Sequence, residues 1–351
     1  MPLLPGESAP WFTAPTPTTP QFVFDTAAGR YVLMAFLPPD AGRRGPALKA
    51  LAANMALFDD AKLCAFVMVR DEETWAGVRD LRGLRWIDDR SGAVSRRYAA
   101  LDAEGVAHPH WLVLDPTLRA LGSAPLGEHE AVLSYLRTLP AVADHAATPL
   151  HAPVLIAPRI LEPELCQALV ALHANGAARF TGVMRDEGAR TVAVMDELKK
   201  RRDVLIEDPD LKAAVLDRLE RRLYPMIERA LAFRVTHIER YLVACYDAED
   251  GGVFRAHRDD TTQGTAHRKF ACSLNLNDTY EGGDLRFPEF GPATYRPPPG
   301  GAAVFSCSLM HEATRITLGR RYAFLPFFYD AAGAQVLANY ETRIAALQPT
   351  S

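Results

Sequence analysis

The segment "VFRAHRDD" (253–260) places a histidine and four charged side chains between two apolar runs. The run before it is "YLVACY" (241–246) and the run after it is "FACSLNLN" (270–277), and both are typical of β-strands. In extended backbone, residues i and i+2 point to the same face, so His257 and Asp259 can address one ion. The charge therefore predicts a metal site at the end of a strand.

A third ligand has to come from a distant strand. His311 is the candidate, because it follows another apolar run, "AAVFSC" (302–307). Two imidazoles and one carboxylate, with further coordination positions left open, form the facial triad of non-haem Fe(II) oxygenases. A histidine two residues before an aspartate is common in loops, so the alternative is a solvated loop and an unrelated core histidine.

The composition indicates a soluble globular protein. The chain has 351 residues, long enough for two domains, and is 48% hydrophobic and 23% charged with a formal net charge of −4. This balance predicts no nucleic-acid partner, and no apolar run of about 18 residues predicts a membrane span. The start lacks the pattern of a signal peptide, and the five cysteines are scattered without a CxxC pair. We expect buried, reduced thiols and a cytoplasmic location.

A proline-rich stretch, "LPAVADHAATPLHAPVLIAP" (139–158), predicts a linker between two domains. Before it, the strand-like runs "YVLMAFL" (31–37), "LCAFVMV" (63–69) and "WLVLDP" (111–116) alternate with helical spacing in "PALKALAANMALF" (46–58). This alternation predicts a small α/β layer fold.

Helices come first after the linker, and short strands follow. "ILEPELCQALVALHANG" (160–176) predicts one helix, and a longer helix is expected after Pro209 with a kink at Pro225. Its apolar stripe consists of Leu211, Val215, Leu219, Leu223, Ile227 and Leu231. From Thr236 onward, short apolar runs separated by Gly, Pro and Asp predict an antiparallel sandwich or open barrel with helical support.

Residues 236–330 resemble the prolyl 4-hydroxylase-like branch of the 2-oxoglutarate/Fe(II) dioxygenases, whose fold is a double-stranded β-helix, or jelly roll. The resemblance lies in a fixed order of a tyrosine, the histidine–aspartate pair, a Gly-Gly-x-Leu-x-Phe stretch, a histidine and an arginine. The stretches that carry this order are "ERYLVACYDAEDGGVFRAHRDD" (239–260), "FACSLNLN" (270–277), "EGGDLRFPEFG" (281–291), "GGAAVFSCSLMHEATRITLGRR" (300–321) and "YAFLPFFY" (322–329).

The resemblance implies the cofactors and the reaction. His257, Asp259 and His311 would bind Fe(II), with 2-oxoglutarate and O2 as cosubstrates, and with ascorbate as a candidate reductant. The expected reaction hydroxylates an unactivated C–H and releases succinate and CO2. Asp259 is a carboxylate, so no ligand position is vacant for halide and halogenation is disfavoured. Desaturation and cyclisation stay open.

An arginine is expected to hold the distal carboxylate of 2-oxoglutarate, since its planar fork can bind a carboxylate through two hydrogen bonds. Arg321 is favoured by spacing, and Arg320 is the alternative because adjacent residues point to opposite faces of a strand. Tyr246 matches the tyrosine of the family whose hydroxyl also reaches 2-oxoglutarate. Asn275 lies on the polar face of its strand. It is either a contact to the substrate or cosubstrate or an ordinary asparagine at the end of a strand.

The charged segment 181–205 is interpreted either as a cover over the pocket that selects the substrate or as a plain solvent-facing connection. Arg258 and Asp260 are expected to face away from the metal and to form a surface ion pair. The substrate stays open among prolyl peptides, free amino acids and small metabolites.

Roughly residues 4–138 resemble the peroxiredoxin/redoxin branch of the thioredoxin fold, through "GESAPWF" (6–12), "GRYVLMAFLPPD" (29–40) and "HPHWLVLDPTLRALG" (108–122). That family carries its reactive cysteine shortly after the strand that ends at residue 37. This chain reads "PPDAGRRGP" (38–46) there, without a cysteine, and Cys64 belongs to the next strand. The resemblance therefore implies a redoxin-like domain without thiol chemistry, which serves in dimerisation, partner binding or substrate access.

The chain is thus expected to form a thioredoxin-like α/β domain (1–145) that lacks the peroxidatic cysteine and a jelly-roll dioxygenase domain (152–351). The leading hypothesis is a 2-oxoglutarate- and Fe(II)-dependent hydroxylase acting on a small molecule or a peptide. One alternative is a non-catalytic metal- or ligand-binding module with a redoxin-like adaptor domain. Another, a thiol peroxidase, is opposed by the missing cysteine.

Overall fold

Contacts divide the chain into two compact units, each with its own sheets and helices. The computed structural model describes residues 2–347, so Met1 and residues 348–351 lie outside the described residues. Unit 1 comprises Met1–His151 with Pro288–Pro292, and unit 2 comprises Ala152–Phe287 with Ala293–Ser351. The expected domain limits, 1–145 and 152–351, stay a prediction.

Unit 1 is built on a mixed five-stranded sheet. Its strand order is β5-β4-β3-β6-β7, in which β3, β4 and β5 are parallel and β6 and β7 are antiparallel. Every residue of β3 and β4 is buried, as expected for strands covered on both faces. The strands predicted at 31–37, 63–69 and 111–116 are confirmed. The elements of this unit are β1 (Thr13–Ala14), β2 (Phe22–Val23), β3 (Tyr31–Phe36), α1 (Ala41–Ala53), β4 (Leu63–Val69), α2 (Glu72–Gly77), β5 (Leu84–Asp88), α3 (Ala93–Arg97), β6 (His110–Leu114), β7 (Ala120–Pro125) and α4 (His129–Thr138).

Unit 2 has four α-helices, and the first three contribute buried side chains to its large apolar cluster. They are α5 (Pro163–Asn175), α6 (Pro209–Arg218), α7 (Tyr224–Leu231) and α8 (Ala331–Ala346). The predicted kink takes the form of a π-helical turn, Leu219–Leu223, between α6 and α7. Pro225 cannot donate a backbone hydrogen bond and its ring crowds the preceding turn, which a widened π turn accommodates. Within the predicted stripe, Val215, Leu219, Leu223 and Ile227 are fully buried.

The strands of unit 2 pair entirely antiparallel in two main sheets. The larger sheet follows the order β14-β24-β17-β23-β15-β13-β9, with β18, β21 and β8 attached, and the smaller sheet is β12-β16-β22-β19-β20. A separate hairpin joins β10 and β11. The strands are β8 (Leu155–Ala157), β9 (Arg179–Phe180), β10 (Val183–Glu187), β11 (Arg190–Val194), β12 (Lys199–Lys200), β13 (Arg202–Leu205), β14 (His237–Glu239), β15 (Leu242–Asp247), β16 (Val253–His257), β17 (Phe270–Asn275), β18 (Tyr280–Gly282), β19 (Leu285–Arg286), β20 (Thr294–Tyr295), β21 (Ala302–Ser306), β22 (His311–Ala313), β23 (Ile316–Phe324) and β24 (Phe327–Tyr329).

The two faces of β17 separate the core from the polar interior. Cys272 and Leu274 belong to the large apolar cluster that includes the helices. Ser273 and Asn275 point the other way and are also buried. This period-two alternation was predicted from the sequence, and it gives the larger sheet a polar face that is shielded from solvent.

Both units are thus mixtures of β-sheet and helix, as the sequence predicted. Within residues 2–347, the helices are too short or too polar to cross a bilayer.

A candidate metal centre with buried cations

A β-bulge in β16 aims His257. Phe254 pairs with Ala313 and His257 pairs with His311, so β16 has one more residue than β22 over the same length. In a regular strand, residues three apart point to opposite faces, whereas the bulge brings Phe254 and His257 to the same face. Their rings are stacked with centroids 3.5 Å apart.

The three predicted ligands converge. Asp259 follows the end of β16, and its Oδ1 lies 3.6 Å from Nε2 of His257. Its Oδ2 lies 3.3 Å from Nε2 of His311, the first residue of β22. The ligand atoms of all three residues lie within 4.8 Å of one another. The sequence therefore identified a group of side chains that is close enough to hold one ion.

The hydrogen bonds of the two imidazoles fix their orientation. Nδ1 of His257 lies 2.7 Å from the carbonyl oxygen of Arg255, and Nδ1 of His311 lies 3.0 Å from that of Leu309. A carbonyl only accepts, so each Nδ1 carries a proton, and in the neutral ring each Nε2 then presents its lone pair. Histidines that bind metals are usually held this way by their second nitrogen.

Electrostatics also act on His257 and Asp259. Desolvation, and then the neighbouring His311, lowers the pKa of His257, which favours the neutral ring. Burial alone would raise the pKa of Asp259, but the two histidines hold it well below its usual value. One carboxylate and two neutral nitrogen donors fit a divalent transition metal such as Fe(II).

Arg321 lies inside unit 2 and Arg320 lies outside. Arg321 is 2% exposed. Its Nη2 donates to Ser273 Oγ at 2.6 Å and to Asn275 Oδ1 at 2.9 Å, and its Nε donates to Asn275 Oδ1 at 3.2 Å. The Arg320 side chain is 53% exposed and donates to Asp247 at 2.6 Å. These positions favour Arg321 over Arg320 as a buried anion-binding group.

Asn275 is committed to holding Arg321. Its Oδ1 accepts from the guanidinium, while its Nδ2 donates to the carbonyl of Pro297 at 2.8 Å and to the hydroxyl of Tyr280 at 2.9 Å. With both ends of the amide engaged, Asn275 acts on the site through Arg321.

Tyr246 lies between two guanidinium groups. It pairs with Arg321 across β15 and β23, and the Arg321 Cζ is 5.4 Å from the centre of its ring. On the other side, the Arg201 Cζ is 5.7 Å from the ring centre, and Arg201 Nη1 donates to the Tyr246 hydroxyl at 3.4 Å. Tyr246 therefore lies beside Arg321 and next to Arg201, a cation that was not among the predicted site residues.

Lys199 and Arg201 are buried members of the segment that was expected to be a cover or a solvent-facing connection. Lys199 is 6% exposed and Arg201 is 4% exposed. Arg201 donates to both oxygens of Asp203, each at 2.7 Å. Both cations contact Phe254, the ring that stacks on His257: the Lys199 Nζ is 5.4 Å and the Arg201 Cζ is 6.0 Å from its centre. The segment thus contributes charge directly beside the metal centre.

Period-two alternation separates these residues from their neighbours, although it does not say which of the two faces is buried. Lys199, Arg201 and Asp203 point inward, whereas the intervening Lys200 and Arg202 have side chains that are 38% and 42% exposed. A run of charges can alternate between two faces as an apolar strand does.

A third cation, Arg240, occupies the bend between β14 and β15. Its backbone has φ = 65°, a left-handed conformation that is uncommon for a residue other than glycine, asparagine or aspartate. Its Cζ is 4.3 Å from the ring centre of Phe327, and its Nε is buried with no hydrogen-bond partner among residues 2–347. Burial, and then the charge of Arg201, lowers its pKa to about 10.

Arg258 differs from its expected solvent-facing position. It is buried and donates to the backbone carbonyl of Ser308, while Asp260 accepts a hydrogen bond from the Ser308 hydroxyl. The turn after Cys307 packs against the segment that follows β16, since the amide of Asp259 donates to the Cys307 carbonyl at 2.9 Å. These contacts tie the loop of Asp259 to the loop that precedes His311.

In unit 1, the segment after β3, where the sequence was searched for a reactive cysteine, begins α1 instead. Asp40 caps α1 and accepts the backbone N–H of Arg43 at 2.8 Å. Cys64 is buried within β4, and burial raises the pKa of its thiol to about 12. A thiol with that pKa is almost entirely protonated near neutral pH, so it is a poor nucleophile.

Comparison with known proteins adds structural matches only. The sequence matches no family model, and no curated protein matches it. A prolyl hydroxylase from Trichoplax adhaerens, solved with a hypoxia inducible factor peptide fragment, is 17% identical with a TM-score of 0.41, over 56% of this chain and 90% of that chain. A Pseudomonas putida prolyl-4-hydroxylase is 22% identical with a TM-score of 0.39, and the match covers 54% of this chain and 97% of that chain. AhpC of Mycobacterium tuberculosis is 17% identical with a TM-score of 0.31, and the match covers 40% of this chain and 94% of that chain.

These proteins represent the two classes that the sequence resembles. Because each TM-score lies below 0.5, a function has to be inferred from the side chains of this chain.

Proposed function

We propose that the chain is a 2-oxoglutarate- and Fe(II)-dependent dioxygenase that hydroxylates a C–H of a prolyl, amino-acid-like or small-molecule substrate. The observation that carries the proposal is the convergence of His257, Asp259 and His311, with both Nε2 lone pairs and a carboxylate directed at one point. A centre with only three protein ligands leaves positions for a cosubstrate. When bound, the iron would supply the oxidising chemistry.

The protein's own groups divide the remaining work. Nε2 of His257, Nε2 of His311 and a carboxylate oxygen of Asp259 would hold the metal. Arg321 would bind the distal carboxylate of 2-oxoglutarate through its guanidinium, with the hydroxyl of Tyr246 as a second contact. Ser273 and Asn275 already take hydrogen bonds from Arg321 Nε and Nη2, which leaves Nη1 for the ligand and fixes its direction.

The apolar rings around the triad would protect it from water. Phe305 lies 4.6 Å and Phe287 lies 6.2 Å from the ring of His311, measured between centroids, and Phe254 covers His257. A dry surrounding strengthens the ion pairs of the site and limits side reactions of an oxidising centre. The thioredoxin-like unit would then contribute to partner binding, dimerisation or substrate access, and ascorbate would serve as a reductant.

An anaerobic titration tests the proposal. The full chain is titrated with Fe(II) and then with 2-oxoglutarate, and the visible charge-transfer absorption of the chelate is recorded. We expect a saturable band with one equivalent of each, followed by succinate formation when O2 and a substrate are admitted. Stoichiometric metal binding without a 2-oxoglutarate band would instead favour a non-catalytic metal-binding module.

A further inference from the structure

The cations around the metal centre are not balanced by carboxylates. Asp203 is the near acidic partner of Lys199 and Arg201, and Arg201 already takes both of its oxygens in a bidentate pair. The Lys199 Nζ lies 3.9 Å from Asp203, too far for a hydrogen bond. Its two hydrogen bonds go instead to neutral oxygens, Thr181 Oγ1 at 2.7 Å and the carbonyl of Gly182 at 3.0 Å. One N–H of the ammonium group therefore remains for a ligand.

Arg240 is left unbalanced to a greater extent. Among the described residues it forms no ion pair. Its guanidinium lies 4.3 Å from the ring centre of Phe327, and Glu239 and Asp259 attract it at longer range. A second arginine, Arg268, lies 4.0 Å from the same ring. Arg268 forms an ion pair with Glu239, so this carboxylate already has a cationic partner other than Arg240. Buried cations are normally paired, because an unpaired charge out of water is costly.

The unbalanced cations lie next to the triad. Both Lys199 and Arg240 interact electrostatically with Asp259 and with Arg201. Burial, and then repulsion from Arg201, lowers the pKa of Lys199 to about 6, so a carboxylate bound beside it would favour its charged form. A left-handed backbone at Arg240 adds to the cost of this arrangement, and such costs persist where function requires them.

Bound metal and 2-oxoglutarate would not supply the missing charge. The ferrous ion carries two positive charges and 2-oxoglutarate two negative charges, so together they leave the balance unchanged. The distal carboxylate of 2-oxoglutarate is assigned to Arg321, which has hydrogen-bond partners distinct from those of Lys199 and Arg240. A further anion is therefore needed.

We infer that Lys199 and Arg240 bind a carboxylate of the substrate, so that the enzyme acts on an acidic compound whose reacting C–H lies near its carboxylate. This inference rests on the proposed dioxygenase function. The carboxylate belongs either to the free acid end of a small molecule or to an acidic side chain of a peptide, and the same ammonium and guanidinium groups recognise both.

Isothermal titration calorimetry on the full chain, loaded with redox-inert Mn(II) and saturating 2-oxoglutarate, tests the inference. The first probe pair is N-acetyl-L-proline and its amide, and the second is N-acetyl-L-glutamyl-L-prolinamide and its glutaminyl counterpart. We expect one acidic probe to bind at least about tenfold more tightly than its uncharged partner, as a hydrogen-bonded charge pair provides. If the N-acetyl-L-proline pair shows the difference, the carboxylate is the free acid end of a small molecule. If the glutamyl pair shows it, the carboxylate is an acidic side chain of a peptide.

Substitutions of Lys199 and Arg240, each with a matched control, test whether these two cations cause the preference for the acidic probe. Lys199→Met or Arg240→Met should reduce the ratio of the two dissociation constants toward one, whereas Lys200→Met and Arg320→Met, which remove exposed neighbours, should leave it unchanged. Arg240→Lys keeps the charge and should retain a preference, and circular dichroism verifies that each variant is folded. A merely structural role would not change the ratio between acid and amide.

The outcomes separate the two proposals. Absence of 2-oxoglutarate binding to the Mn(II) form would contradict the dioxygenase function itself. With 2-oxoglutarate bound, equal binding or no binding of acid and amide in both probe pairs would overturn the inference. A preference that survives both Lys199→Met and Arg240→Met would overturn it as well.

Discussion

Asp89 in unit 1 and Asp259 in unit 2 are both shielded carboxylates, but their surroundings differ. Asp89 is fully buried and accepts the amides of Val94 and Ser95, each at 2.8 Å, and the Ser95 hydroxyl at 2.5 Å. Asp259 instead faces two imidazole nitrogens whose protons are on the far side of each ring. A carboxylate among N–H donors holds a structure together, whereas one that faces two imidazole nitrogens can share a cation with them.

The largest expected effect comes from Asp259→Ala, which tests this difference directly. Without the carboxylate, Fe(II) affinity should fall by at least about a hundredfold and succinate formation should be lost, because one of three ligands is missing. The metal-free fold should remain, since the side chain satisfies no backbone donor. Metal titration, a succinate assay and thermal unfolding measure the three quantities.

Asp89→Ala is the matched control and should show the opposite pattern. It leaves two backbone amides and a hydroxyl of unit 1 buried without an acceptor, which costs about 2–5 kcal/mol of unfolding free energy. Fe(II) binding per folded molecule should not change. Undiminished succinate production by Asp259→Ala would contradict the triad.

The next effect in size concerns the two adjacent arginines. Arg321→Ala should raise the KM for 2-oxoglutarate by about a hundredfold, because it removes a buried positive charge that would hydrogen-bond the carboxylate through Nη1. Arg320→Ala removes an exposed ion pair with Asp247 and should change the KM by less than about twofold. Steady-state kinetics in 2-oxoglutarate distinguish them, and equal effects would argue against a buried carboxylate site at Arg321.

Glu239 is a third shielded carboxylate to compare with Asp89 and Asp259, and its partners are the side chains of His267 and Arg268. Burial raises its pKa, but hydrogen bonds from His267 and Arg268 outweigh this and lower it to about 2, from 4.5. The resulting stabilisation, about 3 kcal/mol, is fully present above pH 4.5 and is lost as the pH falls toward 2. Glu239→Gln should flatten this part of the stability–pH curve, as measured by urea unfolding. A wild-type slope retained in the variant would assign the acid sensitivity to other groups.

The smallest effect is expected in unit 1. Cys64→Ala should leave peroxide consumption unchanged and cost about 1 kcal/mol of stability, the loss of a small buried side chain. All five cysteines are buried, so a thiol reagent should modify the protein only as it unfolds. A peroxide-consuming activity that disappears with Cys64 would restore the thiol peroxidase hypothesis.

The three candidate metal ligands could be picked out from the sequence because each of them stands next to a recognisable strand. His257, Asp259 and His311 each follow a strand-like run, and strand ends gather polar groups. Spacing favoured Arg321 over Arg320, but alternation alone gives two faces without saying which one is inside, and the structure shows Arg321 buried and Arg320 exposed.

Other features could not be read from the pattern. Lys199 and Arg201 were hidden in a run of charges, where hydrophobicity gives no contrast between the buried face and the exposed face. Arg240 carries no sequence signal at all, because nothing marks an arginine whose backbone is left-handed. The sheet and helix content depended on apolar periodicity and was predicted well, whereas a buried charge depends on partners that are distant in sequence.

The extra residue of β16 makes spacing as important as chemistry. In a strand without a bulge, the residue that shares a face with Phe254 lies two positions away, not three. If the bulge were lost with every residue kept, Ala256 would take the place opposite His311, and the ring of His257 would turn to the reverse side of the sheet, away from Asp259 and His311. Ligand identity alone is therefore an insufficient guide when this region is aligned, grafted or redesigned: the bulge between Phe254 and His257 has to be kept with the ligands.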